Sequence, residues 1–211
     1  NLYVVKTIVT TDLIDQIAVD YNVECFNVLT GFKYIAEKIR LNEGEKQFLV
    51  GGEESYGYLI GDFVRDKDAV SACCMIAEMA AYYKTVYKRS LIDQLGNLYR
   101  QYQYFKEDMV SLTEPGEAGM KAIAERMNTL RNNPPKVLGG QPVALLHDYQ
   151  NMHTHNLQTK TTERIDLSVS HVLQLVLSDG SRVTVRPSGT EPKIKFYFSV
   201  CENVLPEQSL D

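Results

Sequence analysis

Over its first fifty residues the chain alternates between the two-residue period of a strand and the 3.6-residue period of a helix, and this narrows the fold more than any other feature. Tyr3-Val4-Val5-Lys6-Thr7-Ile8-Val9 reads as a strand. Thr10-Thr11-Asp12 read as capping residues for a helix with apolar positions Leu13, Ile14, Ile17, Ala18 and Tyr21. Glu24 to Leu29 reads as a second strand, Thr30-Gly31 as a turn, Phe32, Ile35, Ala36 and Ile39 as the stripe of a second helix, and Phe48-Leu49-Val50 as a third strand. Strand–helix–strand units close as a parallel sheet through right-handed crossovers. The turns that leave parallel strands gather at the carboxyl edge, where open α/β sheets bind ligands. Thr10-Thr11-Asp12, Thr30-Gly31-Phe32-Lys33 and Gly52-Glu53-Glu54-Ser55 are therefore expected along one edge. Asp66-Lys67-Asp68 then opens a long helix to about Tyr87, and Ser90 with Asp93 reads as a capping box for another that ends near Tyr102.

The pattern changes after that helix. Periodicity breaks between Phe105 and Gly119, around Pro115-Gly116, so a first domain is expected over residues 1–104 and a second over 105–211. In the second, a helix runs from Met120 to about Leu130 and stops before Pro134-Pro135, which cannot continue it. The polar stretch from Tyr149 to Arg164 lacks a core pattern and reads as a long surface excursion. Val172 to Leu177 reads as a strand, Asp179-Gly180 as a tight hairpin turn and Arg182-Val183-Thr184-Val185 as the return strand. Ile194, Phe196, Phe198 and Val200 then alternate with Lys195, Tyr197 and Ser199. The fold class is an α/β three-layer domain with a parallel sheet, followed by an α+β domain with an antiparallel sheet.

Composition removes several functions. A net charge of −5 over 211 residues offers no broad basic face for nucleic acid, so any anion site must be local. No apolar run approaches the ~20 residues that span a bilayer, and no charged-then-apolar leader opens the chain, so a soluble chain with no membrane partner is expected, and the cysteine usage below points to the cytoplasm. Cys25, Cys73, Cys74 and Cys201 have neither metal-site nor disulfide-framework spacing and are expected as reduced core residues. His153 and His155 stand in a polar stretch without further ligands, and a zinc site needs three or four that converge. His147 and His171 read as packed or surface histidines.

Two loops carry the chemistry. Arg186-Pro187-Ser188-Gly189-Thr190-Glu191-Pro192-Lys193 joins a guanidinium, hydroxyls, a flexible glycine and an ammonium between two strands, which is a phosphate seat in composition. A plain polar turn would have the same prolines, but crowding Arg186, Lys193 and Lys195 costs energy unless an anion sits among them. Gly52-Glu53-Glu54-Ser55-Tyr56-Gly57 sets carboxylates, a hydroxyl and a ring on a glycine-flanked turn, a composition suited to neutral sugar hydroxyls. Together the loops fit a phosphorylated sugar. A nucleotide-binding protein would instead want a glycine-rich phosphate loop after the first strand, and Thr10-Thr11-Asp12 is not one.

At these residues the chain resembles the α-D-phosphohexomutases, the phosphoglucomutase/phosphomannomutase superfamily. Gly52 to Gly57 is similar to that family's sugar-specificity loop, Thr30-Gly31-Phe32-Lys33 to its T-G-aromatic-K turn, and Arg186 to Pro192 to the phosphate loop of its last domain. The resemblance implies sugar contacts from Glu53, Ser55, Thr30, Gly31 and Lys67. It implies phosphate contacts from Arg186, Ser188, Gly189 and Thr190, with Lys195 standing where many members carry arginine, which keeps the charge and loses the bidentate fork. Lys6 matches a lysine found in some members. Family members have four domains, the first with a phosphorylated serine in a T-x-S-H-N-P-like loop and the second with Mg²⁺ on a D-x-D-x-D-R loop. Neither motif exists here. The implied object is domains three (its first helix missing) and four of a mutase that interconverts hexose 1- and 6-phosphates through a 1,6-bisphosphate, with Mg²⁺ and glucose 1,6-bisphosphate as cofactors of the full-length enzyme. Its implied partners are hexose phosphates and the missing domains one and two. Alone it should bind and not catalyse, and a natural non-catalytic phosphosugar-binding module is the alternative.

Overall fold

The computed structural model describes residues 1–189 and 191–204. The chain divides into two compact units, Asn1–Phe105 with residues 202–204, and Lys106–Cys201.

The first unit contains β1 (Leu2–Thr7), α1 (Leu13–Asp20), β2 (Glu24–Val28), α2 (Phe32–Leu41), β3 (Gln47–Gly52), β4 (Tyr58–Ile60), α3 (Ala69–Val86) and α4 (Leu91–Gln101). The sheet order is β2-β1-β3-β4. β1 is parallel to β2, with Val5 opposite Phe26, and parallel to β3, with Val5 opposite Gly51. The short β4 folds back antiparallel on β3, which makes the sheet mixed. Phe32, Ile35 and Ile39 of α2, one helical face by their spacing, bury against Tyr3, Val5, Val28, Phe48 and Leu59. Asp68 caps α3 by accepting from the Val70 and Ser71 N–H groups, and Ser90 with Asp93 forms the expected capping box at α4.

Two expectations for this unit need correction. Asp12 stands at the N-cap of α1 but makes no side-chain cap; its carboxylate is taken by Lys6, and Thr11 Oγ1 accepts from the Leu13 N–H instead. Cys73 and Cys74 are exposed, not core, and Cys25 and Cys201 are half-buried; all four are free thiols. The reason is that α3, apolar almost all round, buries only Ala72 and leaves Val70, Met75, Ile76, Met79, Tyr82 and Val86 open. A groove of about 770 Å³ follows it, lined by Leu49, Val50 and Ile60 of the sheet and by Met75, Ile76 and Met79 of the helix. With so few polar groups it is no seat for a phosphosugar.

The second unit is built on β5 (Tyr104–Thr113), α5 (Gly116–Asn132), β6 (Val137–Leu138), β7 (Gln141–Asp148), β8 (His153–Asn156), β9 (Thr162–Arg164), β10 (Leu173–Leu177), β11 (Arg182–Pro187) and β12 (Lys193–Glu202). Its sheet runs β5-β12-β11-β10-β7-β8-β9, with β6 paired to β7. β7 to β12 form antiparallel pairs throughout. Ile123 and Met127 of α5 pack on Leu146, Leu173, Leu175, Val185 and Ile194. The break read between Phe105 and Gly119 is mostly a ten-residue strand, β5, and the excursion from Tyr149 to Arg164 holds the hairpin β8–β9. Gly180 takes the positive φ of +90° that the hairpin turn requires.

His147 lies on the opposite face from α5, its Nδ1 2.7 Å from Thr154 Oγ1. Burial, with Arg182 nearby, holds its imidazole below the ordinary value. The unfolded chain therefore takes up a proton first as the pH falls through about 6.5, and stability present above that value is lost toward the lower folded value. Urea midpoints measured between pH 8 and pH 5 should fall less steeply for His147→Gln than for the parent chain.

Candidate functional site

The carboxyl edge of the first sheet is built from three turns, and side chains tie them together. Gly31, at φ +120°, adopts a conformation that only glycine takes without strain, and its N–H donates to Glu53 Oε1 at 2.9 Å. The turn after β2 is thereby joined to the loop after β3. Within that loop the Glu53 N–H donates to the Gly57 carbonyl at 2.9 Å and Tyr56, at φ +66°, reverses the chain. Lys67 packs closely over Gly57: a Cβ there would lie 2.6 Å from Lys67 Cδ and 3.2 Å from Glu53 Oε2, so a larger residue would displace the lysine side chain. Lys67 thus lies along the loop with its ammonium 5.2 Å from the centre of the Phe32 ring. Its hydrogen bond to Asp66 raises the Lys67 pKa, and Glu53 adds to the shift.

Gly31, Glu53 and Lys67 are therefore brought together. Thr30 is half-buried beside Gly31. Ser55 is exposed at the loop tip, with no partner for its hydroxyl among the described residues.

Behind these turns lies a charged group that composition alone does not reveal. Lys6, 1% exposed, donates to Asp12 Oδ1 at 3.0 Å and to the Thr10 carbonyl at 3.2 Å, and its ammonium is 2.9 Å from Asp15 Oδ2. Burial alone would raise the Asp15 pKa; the Lys6 charge and hydrogen bond, with Asn27 and Cys25, overcome it and hold it low. Burial and the Asp15 charge push the Cys25 thiol up to about 12, so it is unreactive. Sequence reasoning placed Thr10 and Glu54 at this edge but not their mutual link, and it missed Thr7. Thr7 Oγ1 is 2.8 Å from Thr10 Oγ1 and donates to Glu54 Oε2 at 3.2 Å.

In the second unit the loop between β11 and β12 closes as a hairpin. The Ser188 N–H donates to the Lys193 carbonyl at 2.7 Å, and the Glu191 N–H to Ser188 Oγ at 3.3 Å. Arg186 and Lys195 are register partners on facing strands. Directly opposed residues of an antiparallel pair share a face, so two cations stand side by side, and alternation adds Lys193 to that face. None of the described carboxylates forms an ion pair with these three cations. Gly189 is exposed at the tip; Thr190 lies outside the described residues.

With this geometry in place, comparison with known proteins is direct. Residues 1–102 match the model of the phosphoglucomutase/phosphomannomutase α/β/α domain III, and residues 117–204 match that of the phosphoglucomutase/phosphomannomutase C-terminal domain. The chain belongs to the phosphoglucomutase/phosphomannomutase family, of which it carries the third and the C-terminal domain. It is 38% identical over 196 residues to a phosphoglucomutase of Staphylococcus aureus strain MRSA252, covering 93% of this chain and 35% of that protein. Among solved structures it is similar to parafusin, a Paramecium phosphoglucomutase in its open form, at TM-score 0.68 and 17% identity over 98% of this chain and 34% of the other. It is also similar to a family protein from Burkholderia thailandensis, at TM-score 0.55 and 13% identity over 94% of this chain and 33% of the other. The last two likenesses speak for the fold. The chain spans about a third of the length of the relatives it matches.

Proposed function

We propose that this chain is the substrate-binding half of a phosphohexomutase that interconverts hexose 1-phosphate and hexose 6-phosphate through a 1,6-bisphosphate. The observation that carries the reading is the 2.9 Å bond from the Gly31 N–H to Glu53, which joins the two turns expected to face the sugar. Glu53, Ser55, Thr30, Gly31 and Lys67 take the sugar; Arg186, Ser188, Gly189 and Thr190, with Lys195, take the phosphate that is not transferred. The phosphoserine and Mg²⁺ belong to domains one and two. The described residues of this chain do not fit a resident Mg²⁺, since no three His, Cys, Asp or Glu side chains among them converge. What these residues supply is binding and orientation. Free adjacent thiols at Cys73 and Cys74 fit a reducing compartment such as the cytoplasm.

Calorimetric titration of the chain with glucose 6-phosphate, mannose 6-phosphate, free glucose and inorganic phosphate tests the binding claim. Either phosphosugar should bind more tightly than free glucose or phosphate; equal affinity for inorganic phosphate and both phosphosugars would remove the sugar site. The catalytic claim is tested on the longer protein that includes the preceding domains, by following conversion of hexose 1-phosphate. Binding by the short chain with no turnover by the long one would leave a non-catalytic phosphosugar-binding protein.

A further inference from the structure

The two consecutive carboxylates of the loop after β3 are committed in different directions. Glu53 Oε1 accepts from Gly31, in the turn after β2, while Glu54 Oε2 accepts from Thr7, at the end of β1. Thr7 is fully buried, at 0% exposure, and its hydroxyl has one proton to give. An ionised carboxylate only accepts, so that proton goes to Glu54, and the 2.8 Å contact between the two threonine hydroxyls must then be a donation from Thr10 to Thr7. The result is a one-way chain, Thr10 to Thr7 to Glu54, that ends on a charged acceptor. Such chains are stronger than the same bonds taken singly.

Thr10 is held from two further sides. Its N–H donates to the Thr7 carbonyl at 3.0 Å, and its own carbonyl accepts from the buried Lys6 ammonium at 3.2 Å. Asp12 and Asp15 in turn fix Lys6. Every polar group that Thr10 contributes is thus tied either to β1 or, through Thr7, to the carboxylate loop.

We infer that Glu54 is a positioning residue: it clamps the turn after β1 to the loop that carries Glu53 and Ser55, and so makes Thr10-Thr11 a third wall of the sugar-recognition edge. Glu54 itself does not contact sugar. This deepens the binding role proposed above and rests on it for the ligand, although the clamp is a property of the protein alone. Pinning the loop at Glu53 to one turn and at Glu54 to another leaves Ser55 as the part that faces outward.

The test compares Glu54→Leu, which deletes the acceptor, with Glu54→Gln, whose side-chain carbonyl can still accept from Thr7. Two readouts are taken on the 211-residue chain. The first is amide hydrogen exchange at Thr10, with β1 and β2 amides as internal controls. Glu54→Leu should speed exchange at Thr10 by about tenfold or more and leave the controls unchanged, while Glu54→Gln stays near the parent rate. The second is affinity for glucose 6-phosphate against inorganic phosphate. Glu54→Leu should weaken the sugar phosphate by about tenfold without changing inorganic phosphate, and Glu54→Gln should restore it. Unchanged exchange at Thr10 in Glu54→Leu, or a glutamine variant as fast as the leucine one, overturns the clamp. If the parent chain does not bind glucose 6-phosphate, the functional reading fails while exchange still decides the clamp. Should Glu54→Leu not fold, Thr10→Val removes the first donor of the chain and leaves the Thr7–Glu54 bond; exchange at residue 10 no faster than in the parent then overturns the proposal.

Discussion

Replacing Asp148 with alanine should lower the stability of the second unit by about 3–5 kcal/mol, the range for leaving one partner of a buried ion pair uncompensated. Asp148 and Arg131 meet at 3.0 Å with side chains 2% and 10% exposed. Asp148 also accepts from the Gln150 N–H at 3.1 Å and from Asn151 Nδ2 at 2.7 Å, so it fixes the turn after β7 as well as the end of α5. Among the described residues Arg131 has no substitute anion at hand: its Nη1 reaches Asn128 at 3.1 Å, and its Nη2 is buried with no hydrogen-bond partner among them. Asp148→Asn keeps an acceptor for the turn and should lose less, and Arg131→Met with Asp148→Leu, which removes both charges, should recover most of the loss. Urea midpoints of the four chains decide it. A loss under about 1 kcal/mol for Asp148→Ala would mean that the pair behaves as an exposed one.

What could be read from sequence follows what produces a period. β1 and α2 were legible because Tyr3 with Val5, and Phe32 with Ile35 and Ile39, recur at the spacing of a buried face. β5 was not, because only Phe105 among its ten residues is buried, so pairing with β12, and not burial, makes it a strand. The hairpin β8–β9 escaped for the same reason: His-Thr-His-Asn has no apolar face, and polar cross-strand contacts such as His147 with Thr154 and His155 with Thr162 hold it. β4 is too short, at three residues, to show any period. α3 misled in the other direction. Its apolar composition implies a buried helix and buried cysteines, but composition states only what a helix could pack against. The site divides similarly. The clustering of Arg186, Lys193 and Lys195 and the carboxylates after β3 were legible from side-chain chemistry, whereas Gly31 entered as a sugar contact only through the family resemblance. The roles of Glu54, Thr7 and the Lys6 cluster depend on which way neighbouring side chains point, and that emerges only when three turns distant in sequence meet at one sheet edge.

Removing both cations of the register pair, in Arg186→Gln with Lys195→Gln, should act on stability and on binding with opposite signs. The two residues stand directly opposite each other on β11 and β12, and like charges in that position repel. Without an anion, the neutral pair should therefore stabilise the hairpin by a few tenths of a kcal/mol, up to about 1 kcal/mol. With an anion the balance reverses. Each charged donor to a phosphate is worth about 1.5–3 kcal/mol, so the double variant should lose about 3–6 kcal/mol of phosphosugar affinity, and Arg186→Ala alone about 2 kcal/mol. Melting curves with and without glucose 6-phosphate separate the two effects, because a ligand that binds only the folded chain raises its stability by an amount set by concentration over Kd. The parent chain should gain from the ligand, and the double variant should start slightly higher and gain nothing. A double variant that starts lower would mean that the cations are structural, paired within the fold. One that still responds to the ligand as the parent does would place the phosphate elsewhere.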